Sequence, residues 1–418
     1  MRKAAWLLPA LLEGSGGHRT MFQNIKVLED NGYINDVYIE DQGQISNNAE
    51  LKKQAERLFN AKDCNLYLGF ENIPSDYDVI FATVWFSAKI VRDINTTAKK
   101  VYFIQDFEAL FNPMGDGYLM ALNSYCYGLH PVTIGHWLAH KMESEFNTPA
   151  QCFDFCADSR IYKPLGVKRE NAVCFVFQPD KPRRCSVIGL EALGIIKYLR
   201  PDVKIYLYGS RMMKNVWFEH ENLGIISLEK CNELYNKCSV GLCISSSNPS
   251  RIPFEMMAAG LPVVDLHMEN NLYDMPEGGV LLAHYTPESI AEAVIRLLDD
   301  DEKRKKMSLF GIEYMKYKDI TDGYSQFYEA IENIVLGRDD EKHMYSTIYK
   351  KGPIIADVIM NQLSSGTKML EEIETKHHRF IRQLKRIKFL DNSRFVHKVY
   401  DYLRKLKGGK VWPMLRKG

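Results

Sequence analysis

The stretch SSSNPSRIPFEMMAAGLPVV, from Ser245 to Val264, decides the fold. Before it lies Val240-Gly241-Leu242-Cys243-Ile244, a short apolar run of the kind that forms a strand covered on both faces. A polar loop follows, then Ile252 to Gly260 takes up helical spacing, and Pro262-Val263-Val264 begins another strand. Strand, loop, helix and strand make a βαβ unit, whose loop opens at the C-terminal edge of a parallel sheet. Ser247, Asn248, Pro249 and Ser250 stand at the helix entry, where backbone N–H groups and hydroxyls suit phosphate. Glu255, one turn into the helix, can accept the hydroxyls of a ribose.

Working back toward the N-terminus, the same alternation repeats. Ala172 to Phe177 is an apolar strand, followed by the loop QPDKPRR and a helix from Ser186 to Leu199. Lys204 to Tyr208 is a strand ending in Gly209, Gly224 to Ile226 a shorter one, and Asn232 to Lys237 a helix. An earlier set begins with a strand at Ala4 to Leu12 and the loop GSGGH, Gly14 to His18. Met21, Ile25 and Leu28 then fall on one helix face, and Asn31-Gly32 stops the helix. Strands follow at Val37 to Ile39, Asp78 to Ala82 and Lys100 to Gln105, with a helix at Ser87 to Thr97. The pattern breaks near residues 162–170. It predicts an α/β protein with two Rossmann-like domains, residues 1–165 and 166–320, facing each other across a cleft.

Beyond Glu288 the chain reads as helices, one with Ile290, Ala293, Val294 and Leu297 on an apolar face, then Glu302 to Met315 and Gly323 to Val335. The segment 321–340 is expected to pack back toward the N-terminal domain. Residues 341–418 read as a basic helical tail, with an apolar stripe of Leu370, Ile373, His377, Phe380, Leu384 and Ile387.

Composition narrows the class. The 418 residues are 46% hydrophobic and 26% charged, which excludes a chain that is mainly disordered, collagen-like or a disulfide scaffold. No run of about 18 apolar residues exists to cross a membrane. The formal net charge of +1 conceals a division. Residues 341–418 hold 18 Lys/Arg against 7 Asp/Glu, a charge of +11; the rest hold 36 against 46, a charge of −10. A basic tail on an acidic body suits a polyanion or an anionic membrane surface. The absence of a nucleic-acid reader motif argues against nucleic acid. The nine cysteines form no C-x-x-C pair and read as reduced thiols. The apolar start lacks a small-residue cleavage site and reads as a buried strand, so export is not expected and a cytoplasmic location is.

Three further constellations accompany Ser247 to Glu255. Gly16, Gly17, His18 and Arg19 open the first helix, where glycines allow close approach of a ligand and the helix N-terminus favours an anion. The loop is neither G-x-G-x-x-G nor a Walker A sequence. Asp106 and Glu108 end a first-domain strand, where a carboxylate can orient or deprotonate an acceptor hydroxyl. Arg183 and Arg184 follow the first strand of the second domain, a placement that suits a diphosphate. Each set has a plain structural reading too, as tight turn, helix cap or solvated charge.

The segment FEMMAAGLPVV resembles the E-A-M-A-x-G-x-P-V hallmark of the family 4 glycosyltransferases of the GT-B fold, and ESIAEAVIRLLDDDEKRKKMSLFGIEYMK resembles their C-terminal helices. The motifs GGHRT, IQDFEALFNPMGDGY, TIGHWLA, RRCSVIGLEAL and NPSRIPFEM look like those of the WsaF-type rhamnosyltransferases of bacterial surface glycans. The resemblance spans residues 1 to about 337. It departs from the broad family at Ser247, where a first glutamate is absent, and at the second basic residue of the diphosphate clamp, for which Arg211, Lys214 and Arg251 are candidates.

The resemblance implies a nucleotide-sugar donor, probed first as dTDP-β-L-rhamnose, on the second domain at Arg183, Arg184, Gly209, Ser247, Asn248, Pro249, Ser250 and Glu255. It implies a glycan acceptor, in some cases lipid-linked, on the first domain at Gly16, Gly17 and Arg19, with His18, Asp106 and Glu108 as catalytic candidates. It implies retention of configuration, no cofactor and no divalent metal. With the basic tail it suggests peripheral attachment to the inner membrane face, and the spacing of the tail permits a homo-oligomer. The competing readings are a nucleotide-sugar epimerase of the same twin-Rossmann architecture and a non-catalytic nucleotide-sugar-binding protein.

Overall fold

The computed structural model describes residues 2–211 and 216–356. The first half runs β1 (Arg2–Leu8), α1 (Gly16–Asp30), β2 (Tyr33–Ile39), α2 (Asn48–Phe59), β3 (Asn65–Leu68), β4 (Val79–Ala82), α3 (Trp85–Asp93), β5 (Lys99–Ile104), α4 (Asp116–Ser124), β6 (His130–Ile134), α5 (His136–Glu145) and β7 (Gln151–Phe153). These strands form one parallel sheet in the order β3-β2-β1-β4-β5-β6-β7. The second half runs β8 (Ala172–Val176), α6 (Ser186–Leu199), β9 (Lys204–Tyr208), β10 (Glu221–Asn222), α7 (Leu228–Lys237), β11 (Val240–Leu242), α8 (Ile252–Ala258), β12 (Val263–Leu266), α9 (Glu269–Leu272) and β13 (Val280–Ala283). Its parallel sheet has the order β10-β9-β8-β11-β12-β13. In both sheets the first strand in sequence is central and the order reverses beside it, which puts a topological switch point next to β1 and next to β8.

The central strands are apolar on both faces because helices cover both. Ala4 to Leu8 and Ala172 to Val176 are buried throughout. Trp6 stacks on Phe81 with ring centroids 3.8 Å apart, and its indole N–H is satisfied by Asn35 Oδ1 at 3.0 Å.

Three helices close the chain: α10 (Pro287–Asp299), α11 (Asp301–Met315) and α12 (Ile320–Val335). α10 packs on the second sheet and α11 on α8 and α10, while α12 crosses to the first sheet, where Phe327 is fully buried against Trp6, Phe103 and Phe153. The first domain therefore completes its core with residues from the far end of the fold.

Two sequence expectations are corrected. The short strand placed at Gly224 to Ile226 is at Glu221–Asn222, because Gly224 takes φ +66° and turns the chain there. Residues 341–356, assigned to the helical tail, are not helical. They form a strap from one domain to the other. Tyr345 Oη lies 3.4 Å from Cys152 Sγ in the first domain, Ile348 and Tyr349 donate to Leu272 O in the second, and Ile354 bridges to Ala283 beside β13. The apolar stripe from Leu370 and the rest of the expected helical tail beyond residue 356 lie outside the described residues, as does Lys214. All nine cysteines are free thiols. No helix among the described residues is long and apolar enough to cross a membrane.

Candidate active site

The C-terminal ends of the two sheets face each other, and the candidate residues gather between them. On the first-domain side, Ser15 caps α1 by accepting the His18 N–H at 3.3 Å. His18 is buried, its Nδ1 lying 3.0 Å from Ser15 Oγ and its Nε2 3.2 Å from Pro9 O. Burial lowers its pKa, against the Pro9 contact and with the help of the Lys181 charge. Both ring nitrogens are thus occupied within its own loop, and the imidazole braces that loop. Gly16 and Gly17 begin α1, and a Cβ added at Gly17 would lie 3.8 Å from the Gln105 amide, so the helix entry borders the end of β5.

At that end the two carboxylates have different settings. Glu108 is built into the wall: its Oε2 accepts the Trp85 N–H at 2.6 Å, at the start of α3, and the Tyr102 hydroxyl at 3.3 Å. Burial pushes its pKa up to about 8. Asp106 instead crosses the cleft. Its Oδ2 lies 3.3 Å from Arg183 Nε, and its Oδ1 is buried with no hydrogen-bond partner among the described residues. Burial raises the Asp106 pKa, and Arg183 works against that rise. The Arg183 guanidinium also lies over the Phe111 ring, 4.3 Å from its centroid. Phe107 stacks on Tyr125 and meets Trp137 edge-on, and all three rings are buried in the core.

On the second-domain side, the Arg183 carbonyl accepts the Ser246 N–H at 3.0 Å, which holds the arginine turn against the Ser245–Ser250 loop. Arg184 Nη2 donates to Ser250 Oγ at 3.2 Å, while its Nε and Nη1 are buried without a partner among the described residues. Lys181 is close by, and burial with the neighbouring Arg184 and Arg183 charges lowers its pKa to about 8. Ser247 O accepts the Phe107 N–H at 3.3 Å and Asn248 Nδ2 donates to Gln105 O at 2.9 Å, both across the cleft. Ser247 Oγ and Asn248 Oδ1 are buried without a hydrogen-bond partner among the described residues, although Ser247 lies close enough to Asp106 to oppose the rise of its pKa. Pro249 is buried in the same loop. Gly209 ends β9 at φ +101°, a conformation that favours glycine, and its N–H donates to Gly224 O at 2.7 Å. Glu255 lies on α8 and its Oε1 accepts from Arg19 Nη2 of the facing domain at 2.7 Å.

Of the three candidates for a second clamp cation, Arg211 pairs weakly with Glu13 at 3.7 Å and Arg251 turns toward α1, donating to Gln23 Oε1 at 2.9 Å. The third, Lys214, is not described. Lys181, which sequence reasoning passed over, feels the charges of Arg184 and Arg183 and acts in turn on His18. It was legible only as one charge in QPDKPRR. Asp265 was missed too: it is fully buried at the end of β12, its Oδ2 without a partner among the described residues, and burial pushes its pKa up to about 7.

Farther along the same seam, Asp274 of the second domain caps α5 of the first. A cavity of about 220 Å³ there is lined by His136, Asp154, Phe254, Tyr273, Tyr314 and Lys318, among others. A larger one of about 400 Å³ lies beside β2 and α2, lined by Glu40, Lys53 and Arg57 among others, and includes none of the candidate site residues.

Buried guanidinium and hydroxyl groups without partners are costly unless a ligand completes them. Among the described residues, the buried Nε and Nη1 of Arg184 lie without partners beside Lys181 and Arg183, a set of cations whose chemistry suits an anion.

Two parallel Rossmann-like sheets with a cationic site between their C-terminal ends define the GT-B class of architecture. Residues 171–295 match the family model described as WsaF, C-terminal domain, so the WsaF-type resemblance fits that segment of the chain. The chain is 29% identical over 221 residues to the O-antigen biosynthesis protein RfbC of Myxococcus xanthus, an alignment covering 51% of this chain and 17% of that protein. The chain thus spans well under two thirds of that relative. Among solved structures, Anabaena HepE in complex with UDP and glucose superposes with TM-score 0.62 at 15% identity, covering 78% of this chain and 99% of that one. Staphylococcus aureus TarM, in complex with UDP and glycan ligands, superposes with TM-score 0.63 at 10% identity, covering 80% and 100%. At such identities these two show the fold alone.

Proposed function

We propose that the protein is a glycosyltransferase of surface-glycan assembly that moves a sugar from a nucleoside diphosphate to a hydroxyl of a growing glycan. The observation that carries this reading is the set of buried groups on Arg184, Ser247 and Asn248 without hydrogen-bond partners among the described residues, facing Asp106 across a cleft in a GT-B fold. The donor's diphosphate takes Arg184 with Lys181 and Arg183 alongside, and Glu255 takes the ribose. As the bond to the diphosphate breaks, the fixed cations meet the growing negative charge, and the proposed reaction needs no divalent metal. Asp106, whose Oδ1 has no hydrogen-bond partner among the described residues, is the group to orient the acceptor hydroxyl, whose proton passes to the departing diphosphate oxygen on the same face as the new bond forms. Close contact of the two domains keeps water from competing with the acceptor. By the WsaF-type resemblance of its motifs, the sugar is proposed to be L-rhamnose from dTDP-β-L-rhamnose, transferred with retention; the family match and the RfbC relative support surface-glycan assembly as the setting.

The basic tail is proposed to hold the enzyme at an anionic membrane surface, where a lipid-linked acceptor is presented, with about 1 kcal/mol per basic residue close to the surface.

The test is calorimetric titration against dTDP-, UDP- and GDP-sugars, followed by incubation of the tightest donor with and without glycan acceptors. Transfer that requires the acceptor supports the reading. Conversion of the donor to an isomer without acceptor selects an epimerase, and binding without turnover of any kind selects a non-catalytic nucleotide-sugar-binding protein.

A further inference from the structure

Arg19 and Glu255 belong to different domains and form an ion pair at 2.7 Å with only 27% and 6% of their side chains exposed. The carboxylate assigned above to the donor's ribose is therefore already engaged. Burial works against the Arg19 charge, but Glu255 and Tyr162 outweigh it and the Arg19 pKa is raised. A second guanidinium, Arg251, is buried in the same place, donating from Nη1 to Thr20 Oγ1 at 3.2 Å and to Gln23 Oε1 at 2.9 Å, one turn along α1 from Arg19. Burial and the Arg19 charge depress the Arg251 pKa, with Glu255 opposing. The Nε atoms of both arginines are buried without a hydrogen-bond partner among the described residues. Two cations thus share one carboxylate, and the cluster is short of negative charge.

This shortage makes the two parts of a nucleotide unequal. A nucleoside brings hydroxyls to Glu255 but no charge. To bind, it must displace Arg19 and leave two buried guanidiniums without their carboxylate. A nucleoside diphosphate displaces the same contact and supplies anionic oxygens close to where Arg19 is released, at the N-terminal turn of α1. We propose that Arg19 is a specificity-determining gate on the donor site: it closes Glu255 to ligands without phosphate and yields to those that carry one. The proposal rests on Glu255 being the ribose ligand.

The experiment is calorimetric titration of the full chain with uridine, UDP, thymidine and dTDP, on the native protein and on Arg19→Ala, Arg19→Gln and Glu255→Ala. Arg19→Gln keeps the stem and a polar end, so it guards against a folding defect in Arg19→Ala. Both Arg19 variants are expected to bind the nucleosides about 10-fold tighter while the diphosphates change by less than about threefold, narrowing the discrimination about 10-fold. Equal losses for nucleoside and diphosphate would make Arg19 an ordinary contact and overturn the gate, with the donor reading intact. So would a native protein that binds nucleoside and diphosphate alike. Glu255→Ala is expected to weaken every ligand. If it weakens none, the ribose assignment fails, and the gate with it.

Discussion

Asp274→Ala tests how the two domains are held together. Asp274 is 5% exposed in the second domain, yet its partners are in the first. Its Oδ1 accepts the His136 N–H at 2.8 Å and contacts His136 Nδ1 at 3.0 Å, and its Oδ2 accepts the Trp137 N–H at 3.2 Å. It therefore serves α5 as an N-cap supplied from the other domain. The approach is tight: Gly135 takes φ +83°, and a Cβ there would lie 2.3 Å from the Phe155 ring and 3.0 Å from Asp274 Oδ2. Losing an N-cap costs roughly 0.5–2 kcal/mol, and the loss of a buried charged acceptor adds more, so about 3 kcal/mol is expected for the variant. At a few degrees per kcal/mol, the melting temperature should fall by about 5 °C or more. A pH dependence accompanies the loss. The Asp274 hydrogen bond raises the His136 pKa, burial opposes it, Asp274 and Asp154 charges add to it and Lys318 subtracts. A histidine raised in the folded state contributes its stability fully below about pH 6.5 and loses it as pH climbs through the raised value. The gap between native protein and variant, measured by thermal melts at pH 5.5 and 8.5, should therefore be wider at the lower pH. A variant melting within a degree of the native protein, or a gap equal at both pH values, would refute the reasoning.

Further outcomes follow from other contacts. Phe327→Ala should cost about 3–5 kcal/mol and weaken the first domain, since this α12 ring fills that sheet's core; denaturant melts followed by near-ultraviolet dichroism report it. Glu108→Gln keeps an acceptor for the Trp85 N–H while removing the ionisation. Because the raised Glu108 pKa of about 8 makes native stability fall as pH rises from near 4.5 toward 8, the variant should gain on the native protein over that range in melts at stepped pH. Arg184→Ala should weaken nucleoside diphosphate binding by roughly 10- to 100-fold by calorimetry, the scale of one charge-assisted contact. Asp106→Ala should lower the rate of transfer in a radiolabelled-sugar assay while donor affinity stays within about threefold.

The alternation of strand and helix was readable because each βα unit places its apolar residues locally. Ala4 to Leu8, Ala172 to Val176 and Ile252 to Ala258 reveal themselves by runs and spacing alone. Short edge elements such as β7 and β10 were harder, since three or two residues carry no period. Among the site residues, Glu255 and Arg184 stood out by motif and position. Glu108 looked equivalent to Asp106, two residues away in the same loop. Only the chain's path shows that one caps α3 and the other faces Arg183.

The sequence by itself determined the two α/β halves, the loops at the C-terminal ends of their strands and the division between an acidic body and a basic tail. These follow from local pattern and from counting. The tertiary structure decided which charges meet. Arg19 with Glu255, Asp106 with Arg183 and Asp274 with the start of α5 are separated by 236, 77 and 138 positions along the chain. Nothing in their local sequence marks them as partners. They meet because two parallel sheets turn the same edges toward each other, and there, away from water, a charge must find either a partner or a ligand.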